Sequence, residues 1–389
     1  MWYKNLLKVM QRELTMMFER PIYIFSSVIV MVIMCVFFFS LMREGTPNQL
    51  PIGVIDHDQS YISRRFVREL NSTSPVHVEM VCADFADARK AMQQGEIFAF
   101  IDIPDHFYAD ILAYRRPELS FYVNYAYLTA STQVYRELLT MANLASAAVQ
   151  QEMLKARGLS DDRIMTLIQP IVVETHQIGN PWTNYSVYML STLLPGILGI
   201  VILMLTIFSI GYELKMQTSH ELLCLAGNNF YVAMSGKLLP YTLLFIVLGM
   251  GLNVIMFQFM GFPNAGSMWM ITLAMFLYVM AMQALAVTIV SCFPTLRLAL
   301  SAGALIGMMG FSLSGFAYPA MAMKGYVQAI GYLFPLRHYY LLYTDVTLFD
   351  SPFRVLMVPL ICLIAWQAVP MLGKKRLHNA LINQNYPLK

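Results

Sequence analysis

Five runs of the chain carry no Asp, Glu, Lys or Arg: Pro21–Met42, Thr175–Tyr212, Leu238–Leu296, Leu298–Met323 and Val355–Gly373. Between the first two lies a long stretch of ordinary soluble composition. A charged side chain at mid-bilayer costs ~2.5–3.5 kcal/mol on insertion scales, so runs of about 20 uncharged, mostly apolar residues read as membrane crossings. Leu238–Leu296 must hold two of them, because as one helix it would reach ~89 Å at 1.5 Å per residue. The turn cluster Gly261-Phe262-Pro263-Asn264-Ala265-Gly266 divides it. The pattern predicts six crossings, about 22–41, 186–210, 238–260, 268–292, 298–317 and 354–372.

Residues 1–20 carry Lys4, Lys8, Arg12 and Arg20, with Leu6, Leu7, Met10, Leu14, Met17 and Phe18 at helical spacing. This predicts an amphipathic helix lying along the membrane surface, either a topogenic anchor or a docking element. Residues 374–389 open with Lys374, Lys375 and Arg376, so the positive-inside rule places both termini in the cytoplasm. That agrees with an even number of crossings. The stretch 43–182 then faces outward. Its alternation predicts strands at Pro51–Ile55, Val76–Val81, Ile97–Ile103 and Leu119–Tyr125. Helices are expected at Asp58–Leu70, Asp84–Gln94 (capped by Asp84) and Pro104–Ala113. The order suggests a small α/β domain with a largely parallel sheet. A long helix, Thr129–Arg157, follows and stops at Gly158. The segment 318–345 is apolar but broken by Pro319, Gly325, Gly331 and Pro335, which predicts short re-entrant helices dipping in from the outer face. The fold class expected is a membrane all-α, six-helix transmembrane domain with an inserted extracytoplasmic α/β domain.

Composition agrees: 58% of the 389 residues are hydrophobic and only 13% charged. Net charge is +3, with no basic stripe for nucleic acid. The five cysteines include no CxxC pair, and Cys82 alone falls in 43–182. The first apolar run is of full span length without a small-residue cleavage pattern, so it is expected to stay as an anchor.

Catalytic chemistry is not readable. Gly236-Lys237-Leu238 lacks the upstream glycine and following Ser/Thr of a phosphate-binding loop. His57, His77 and His106 are not at metal spacing, and Asp56 and Asp58 fit a strand-to-helix turn. No catalytic residue, cofactor-binding residue or metal ligand is expected on this chain. The spans offer only Asn253, Gln258, Gln283 and Gln367 with hydroxyls such as Thr206, Thr272 and Thr288. Without a buried carboxylate, a proton- or sodium-driven carrier is disfavoured, and energy is expected from another subunit.

The loop after the second span reads Gly211-Tyr212-Glu213-Leu214-Lys215-Met216-Gln217-Thr218-Ser219-His220-Glu221-Leu222-Leu223. Here the chain resembles the permeases of type-2 ATP-binding-cassette exporters, which carry a Glu at the cytosolic end of that span and then a Thr-x-x-Glu-x-Leu helix. Glu213, Thr218, Glu221 and Leu223 occupy those positions, with Leu222 beside them. Asn180-Pro181 and Leu194-Pro195-Gly196 resemble the family's entry to the second span. Leu313-Ser314-Gly315-Phe316-Ala317-Tyr318-Pro319 is similar to its Ser-Gly-Phe-x-x-Pro element, and Phe334-Pro335-Leu336-Arg337-His338-Tyr339 to its re-entrant turn. Ile52–Asp58 and Gly95–Pro104 resemble the branch with a large extracytoplasmic domain after the first span. Two departures stand out: Met323-Lys324 replaces the Met-Pro often found there, and Arg337 stands where many relatives carry Thr.

The resemblance implies a coupling loop, 212–236, whose helix sits in a cleft of an ATPase subunit, with Glu213, Thr218, Glu221, Leu222 and Leu223 transmitting movement. It implies an outer gate at Ser314, Gly315, Phe316, Pro319, Pro335 and Arg337, the last meeting a lipid headgroup or an anionic substrate. ATP and Mg would be held by the partner ATPase, not by this chain. Expected partners are cytoplasmic ABC ATPase subunits, a second copy or a similar permease, membrane lipids, and a periplasmic adaptor with an outer-membrane channel. Expected function is ATP-driven export of an amphipathic or hydrophobic substrate, multidrug efflux included, at a bacterial inner membrane. The alternatives are a mechanotransmitting subunit that moves its outer domain without conducting substrate, and an ion-coupled secondary transporter. Gly303, Gly307 and Gly310, at small-xxx-small spacing, fit either a dimer interface or packing within the chain.

Overall fold

A backbone in hydrocarbon must satisfy its own hydrogen bonds, and the charge-free runs fold as helices. The structure, a computed structural model, describes residues 2–43, 45–113 and 115–383. It divides into two compact units, Thr46–Thr175 and Met1–Gly45 with His176–Lys389.

The larger unit begins with α1 (Trp2–Glu19) and α2 (Pro21–Ile24), which runs through a π turn into α3 (Val30–Leu41). The smaller unit comprises β1 (Leu50–Asp56), α4 (Tyr61–Asn71), β2 (Val76–Val81), α5 (Phe85–Gln94), β3 (Ala99–Ile103), α6 (Phe107–Leu112), β4 (Ser120–Val123), α7 (Leu128–Ala156) and α8 (Asp161–Ile168). The chain then returns to the larger unit with α9 (Tyr185–Met216), α10 (Ser219–Leu225), α11 (Phe230–Val254, extended by a π turn to Phe259), α12 (Met268–Cys292) and α13 (Leu296–Ser312). A 3-10 turn (Ala320–Ala322), α14 (Gly325–Gly331), α15 (Pro335–Thr347), α16 (Phe353–Trp366) and α17 (Pro370–Asn383) complete it.

In the smaller unit the sheet order is β2-β1-β3-β4, with β1 parallel to both β2 and β3 and only β4 antiparallel. Successive side chains alternate faces. Ile52 and Val54 join Phe66, Leu70, Val134 and Leu138 on one side, while Ile55 and Phe100 meet Ala88 and Ala91 of α5 on the other. Asp84 caps α5 by accepting from Asp87 N at 2.8 Å, and Gly95 closes it at φ +79°. Asp56 accepts from Gln59 N at 2.9 Å and Ser63 Oγ at 2.8 Å, so it is committed to the strand-to-helix turn.

In the larger unit, five helices among the described residues are long and apolar enough to cross a membrane: Pro21–Leu41, Tyr185–Met216, Phe230–Phe259, Met268–Cys292 and Phe353–Asn383. The run expected at 298–317 is shorter, because its helix stops at Ser312 and Leu313–Pro319 turns away. The last run also differs. Its helix breaks around Gln367–Val369, and α17 continues well past 372, burying Leu377 and Leu381. Residues 374–383 are thus packed helix rather than a tail, and 384–389 lie outside the described residues.

α9 and α12 form the centre, with Leu190, Leu194, Leu198 and Ile202 fully enclosed. Asn184 caps α9 by accepting from Ser186 N at 2.8 Å, and is clamped by Asn180, whose Nδ2 donates to Asn184 O at 2.8 Å. Gly303 and Gly307 face α9: a Cβ on Gly303 would stand 2.4 Å from Ile207 Cδ1, and one on Gly307 3.4 Å from Ile200 Cγ1. The small-residue stripe serves packing within the chain.

Candidate functional site

The first helix carries apolar side chains on its exposed side and a second line of residues on the side it packs. Leu7, Leu14 and Phe18 are exposed, whereas Val9, Glu13 and Met17, one turn apart, are buried. They pack on α11, which answers with Ala233, Lys237 and Tyr241 at the same spacing. The approach needs Gly236, where an added Cβ would lie 2.8 Å from Val9 Cβ and 3.3 Å from Leu6 O.

Two carboxylates and two cations meet in this seam. Lys237 Nζ donates to Glu13 Oε1 at 2.8 Å and to Glu213 Oε1 at 3.0 Å. Arg12 Nη1 donates to Glu213 Oε1 at 2.8 Å and to Glu13 Oε1 at 3.0 Å, while its Nη2 reaches Glu213 Oε2 at 3.3 Å. Tyr241 Oη donates to Glu13 Oε2 at 3.4 Å. Glu13 and Glu213 are enclosed, and Lys237 is among the most deeply buried large side chains. Formal charges cancel, which a buried ionic group requires. Arg12 holds its proton more firmly than a free guanidinium: burial alone would weaken it, but the hydrogen bond and charge of Glu213, with the charges of Glu13 and Glu221, outweigh that.

The cluster ties α1, distant in sequence, and the flanking helices α9 and α11 to α10. Thr218, just before α10, does not cap the helix; its hydroxyl donates back to Glu213 Oε2. Glu221 Oε2 stands 3.5 Å from Arg12 Nη2, with its side chain largely in solvent. Leu222 and Leu223 are buried, so their side chains anchor α10 to the rest of the chain. The exposed face carries His220, Glu221 and Cys224. Ser219 Oγ donates to Leu381 O at 2.8 Å, so α17 braces the same helix.

The other expected site residues gather between α13 and α15. Ser314 is buried, its hydroxyl donating to Phe311 O at 2.8 Å, and Gly315 takes φ +97°, which turns the chain. Tyr188 Oη donates to Phe316 O at 3.0 Å, with the two rings 4.7 Å apart. Pro335 starts α15, whereas Pro319 is exposed. Arg337 is buried, not at a surface where a headgroup would meet it, and its guanidinium lies 4.2 Å from the Tyr332 ring centre.

Arg12, Glu13 and Lys237 were missed as site residues, and the expectation of no buried carboxylate in the spans is corrected. Glu213 lies inside α9, three residues beyond the span boundary expected at 210, and Lys237 lies inside α11, just before the charge-free run. The available signal was the spacing Val9-Glu13-Met17, where a Glu occupies a buried helical line.

Residues 21–372 match the family model described as ABC-2 family transporter protein. The chain is 26% identical over 308 residues to the inner membrane transport permease YhhJ of Escherichia coli (strain K12), covering 77% of this chain and 76% of that protein. The same figures hold for the inner membrane transport permease YhhJ of Shigella flexneri.

Proposed function

The chain belongs to the ABC-2 family of transporter proteins, and from that premise we propose that it is the membrane permease of an ATP-driven exporter. Family membership implies association with an ATPase subunit, so this chain is a multi-pass membrane subunit rather than the enzyme. In the reading favoured here, both termini lie in the cytoplasm of a bacterial cell, α13 completes six crossings, and the 46–175 unit faces outward. At ~1.5 Å per residue α13 reaches ~26 Å, close to a hydrocarbon core of about 30 Å. A second copy or a similar permease completes the pore, and an adaptor meets the outer unit.

One observation carries the mechanism: α10 is anchored by Leu222 and Leu223 and tied through Thr218 to the Glu213–Arg12–Lys237–Glu13 group. Force applied by the ATPase to the exposed His220–Glu221–Cys224 face passes into α9, α1 and α11 together. Switching access for an amphipathic or hydrophobic substrate then follows from movement of α9 against α13. Ser314, Gly315, Phe316 and Pro335 shape the far end of that path, with Arg337 held beneath.

An ion-coupled carrier is the rival, and Glu13 and Glu213 supply the buried carboxylates it would need. Each is nonetheless held by Arg12 and Lys237, which suits a strut better than a proton relay. The test is reconstitution with the ATPase subunit and an amphipathic dye. Wild type exports the dye with ATP, while Glu213→Gln keeps ATP hydrolysis and loses export. Export by Glu213→Gln at the wild-type rate sinks the transmission path; uphill export by this chain alone sinks the exporter reading.

A further inference from the structure

Partway along α9 the chain uses residues that weaken a helix. Pro195 has no N–H, so the ladder bond to Ser191 O is missing, and Gly196 and Gly199 follow within about a turn. At 1.5 Å per residue Pro195 lies ~15 Å from the Tyr185 end of α9, deep in the hydrocarbon of a spanning helix. A bend placed here must be held by a neighbour.

Tyr278 of α12 is that neighbour. Its side chain is fully enclosed and its hydroxyl donates to Pro195 O at 3.0 Å. A Cβ on Gly199 would coincide with the hydroxyl, so the glycine leaves the notch that Tyr278 fills. Gly196 lies against Phe311 of α13, where an added Cβ would stand 2.8 Å from Phe311 Cδ2. The Tyr278 ring also stacks on Tyr339 of α15, with centres 4.8 Å apart and planes 28° from parallel. Tyr339 is buried as well, but its hydroxyl has no hydrogen-bond partner among the described residues, so it contributes a ring and not a bond. A void of about 10 Å³ beside Tyr278, bordered by Gly307, Gly310 and Phe334, leaves this crossing short of full packing. One side chain thus touches both the weak point of α9 and the helix that begins at Pro335.

We propose that Tyr278 is a positioning residue, a latch that holds α9 in one of two bends. Its hydroxyl fixes the bend at Pro195, and the tyrosine stack keeps α15 in register with it. Release of Pro195 O lets the Tyr185 arm of α9 swing, and α15 follows. The arrangements are discrete because packed crossings repack instead of stretching. Inside hydrocarbon no water replaces the lost bond, so the hydroxyl separates two states. The latch rests on the reading of α9 as a moving span. Its first measurement needs neither the ATPase nor export, so its failure is separate from theirs.

The experiment places spin labels at Trp182→Cys and Trp269→Cys, exposed positions at the starts of α9 and α12. It uses the full-length chain in nanodiscs, with its five cysteines changed to Ser. An arm of ~15 Å turning through ~20°, the size of a sharp helix kink, carries its end about 5 Å. Double electron–electron resonance should give one main distance while Tyr278 is in place. Tyr278→Phe removes one oxygen and keeps the ring; it should populate a second distance about 5 Å away, with unchanged circular dichroism. Gly199→Ala, whose Cβ displaces the hydroxyl, should populate the same second distance. Tyr339→Phe should change nothing. With the ATPase subunit, ATP and vanadate, the chain that keeps Tyr278 should move to the distance that Tyr278→Phe shows at rest. One unchanged distance in both Tyr278→Phe and Gly199→Ala would overturn the latch, as would an equal shift in Tyr339→Phe. So would a nucleotide-induced distance that Tyr278→Phe does not populate.

Discussion

Lys237 Nζ stands 2.8 Å from Glu13 Oε1 across 224 positions of sequence, and both side chains are closed off from solvent. Neither is tolerable alone in such a place. Removing one member of a buried ion pair strands the other and costs about 3–5 kcal/mol, while removing both can be nearly neutral. Lys237→Met should therefore melt well below wild type, and Glu13→Gln with Lys237→Met should recover part of that loss. Thermal unfolding of the four proteins in one detergent measures the coupling, expected at about 0.5–3 kcal/mol. Additive losses would mean that the contact is incidental.

Burial separates two neighbours on α10. Leu222→Ala should cost about 2–5 kcal/mol, since it empties a filled interior position. Glu221→Gln should change stability by less than ~1 kcal/mol, because its pairing with Arg12 is mostly solvated. Melting temperatures would contradict this arrangement if Glu221→Gln were the more damaging of the two.

The seating of α1 depends on the absence of a side chain at 236. Gly236→Leu places carbon where Val9 Cβ and Leu6 O already are, and overpacking of this kind costs typically 1–3 kcal/mol. Trypsin should then cut faster at Lys4, Lys8 and Arg12, and Val9→Ala should slow the cutting again. Cleavage at the wild-type rate in Gly236→Leu would show that α1 is not held by this contact.

These features differ in how far the sequence announces them. Long charge-free runs are visible one residue at a time, so the helices of the larger unit were legible. Local rules also found the helix ends of the smaller unit, because Asp84, Gly95 and Gly158 mark ends whose chemistry is local. The ionic group is a different matter. Glu213 and Lys237 each sit at the edge of an apolar run, where charge normally signals the end of a span, Glu13 sits among the charges of the amphipathic first helix, and only the packing of helices against one another makes them interior. Leu222 and Leu223 matched a motif without revealing which way they point. The break after Trp366 and the docking of α17 on α10 depend on tertiary contacts such as Ser219 to Leu381, which composition does not encode.

The central claim is that an ATPase subunit seats on the exposed face of α10, and Cys224 lies on that face beside His220, 3.6 Å away. In a chain with Cys35, Cys82, Cys292 and Cys362 changed to Ser, a membrane-impermeant maleimide applied to inverted vesicles should label Cys224 rapidly when the permease is expressed alone. Co-expression with its ATPase should slow that labelling at least about tenfold, and washing the ATPase away should restore it. Labelling at the same rate with and without the ATPase, in vesicles where the two proteins co-purify, would contradict the account.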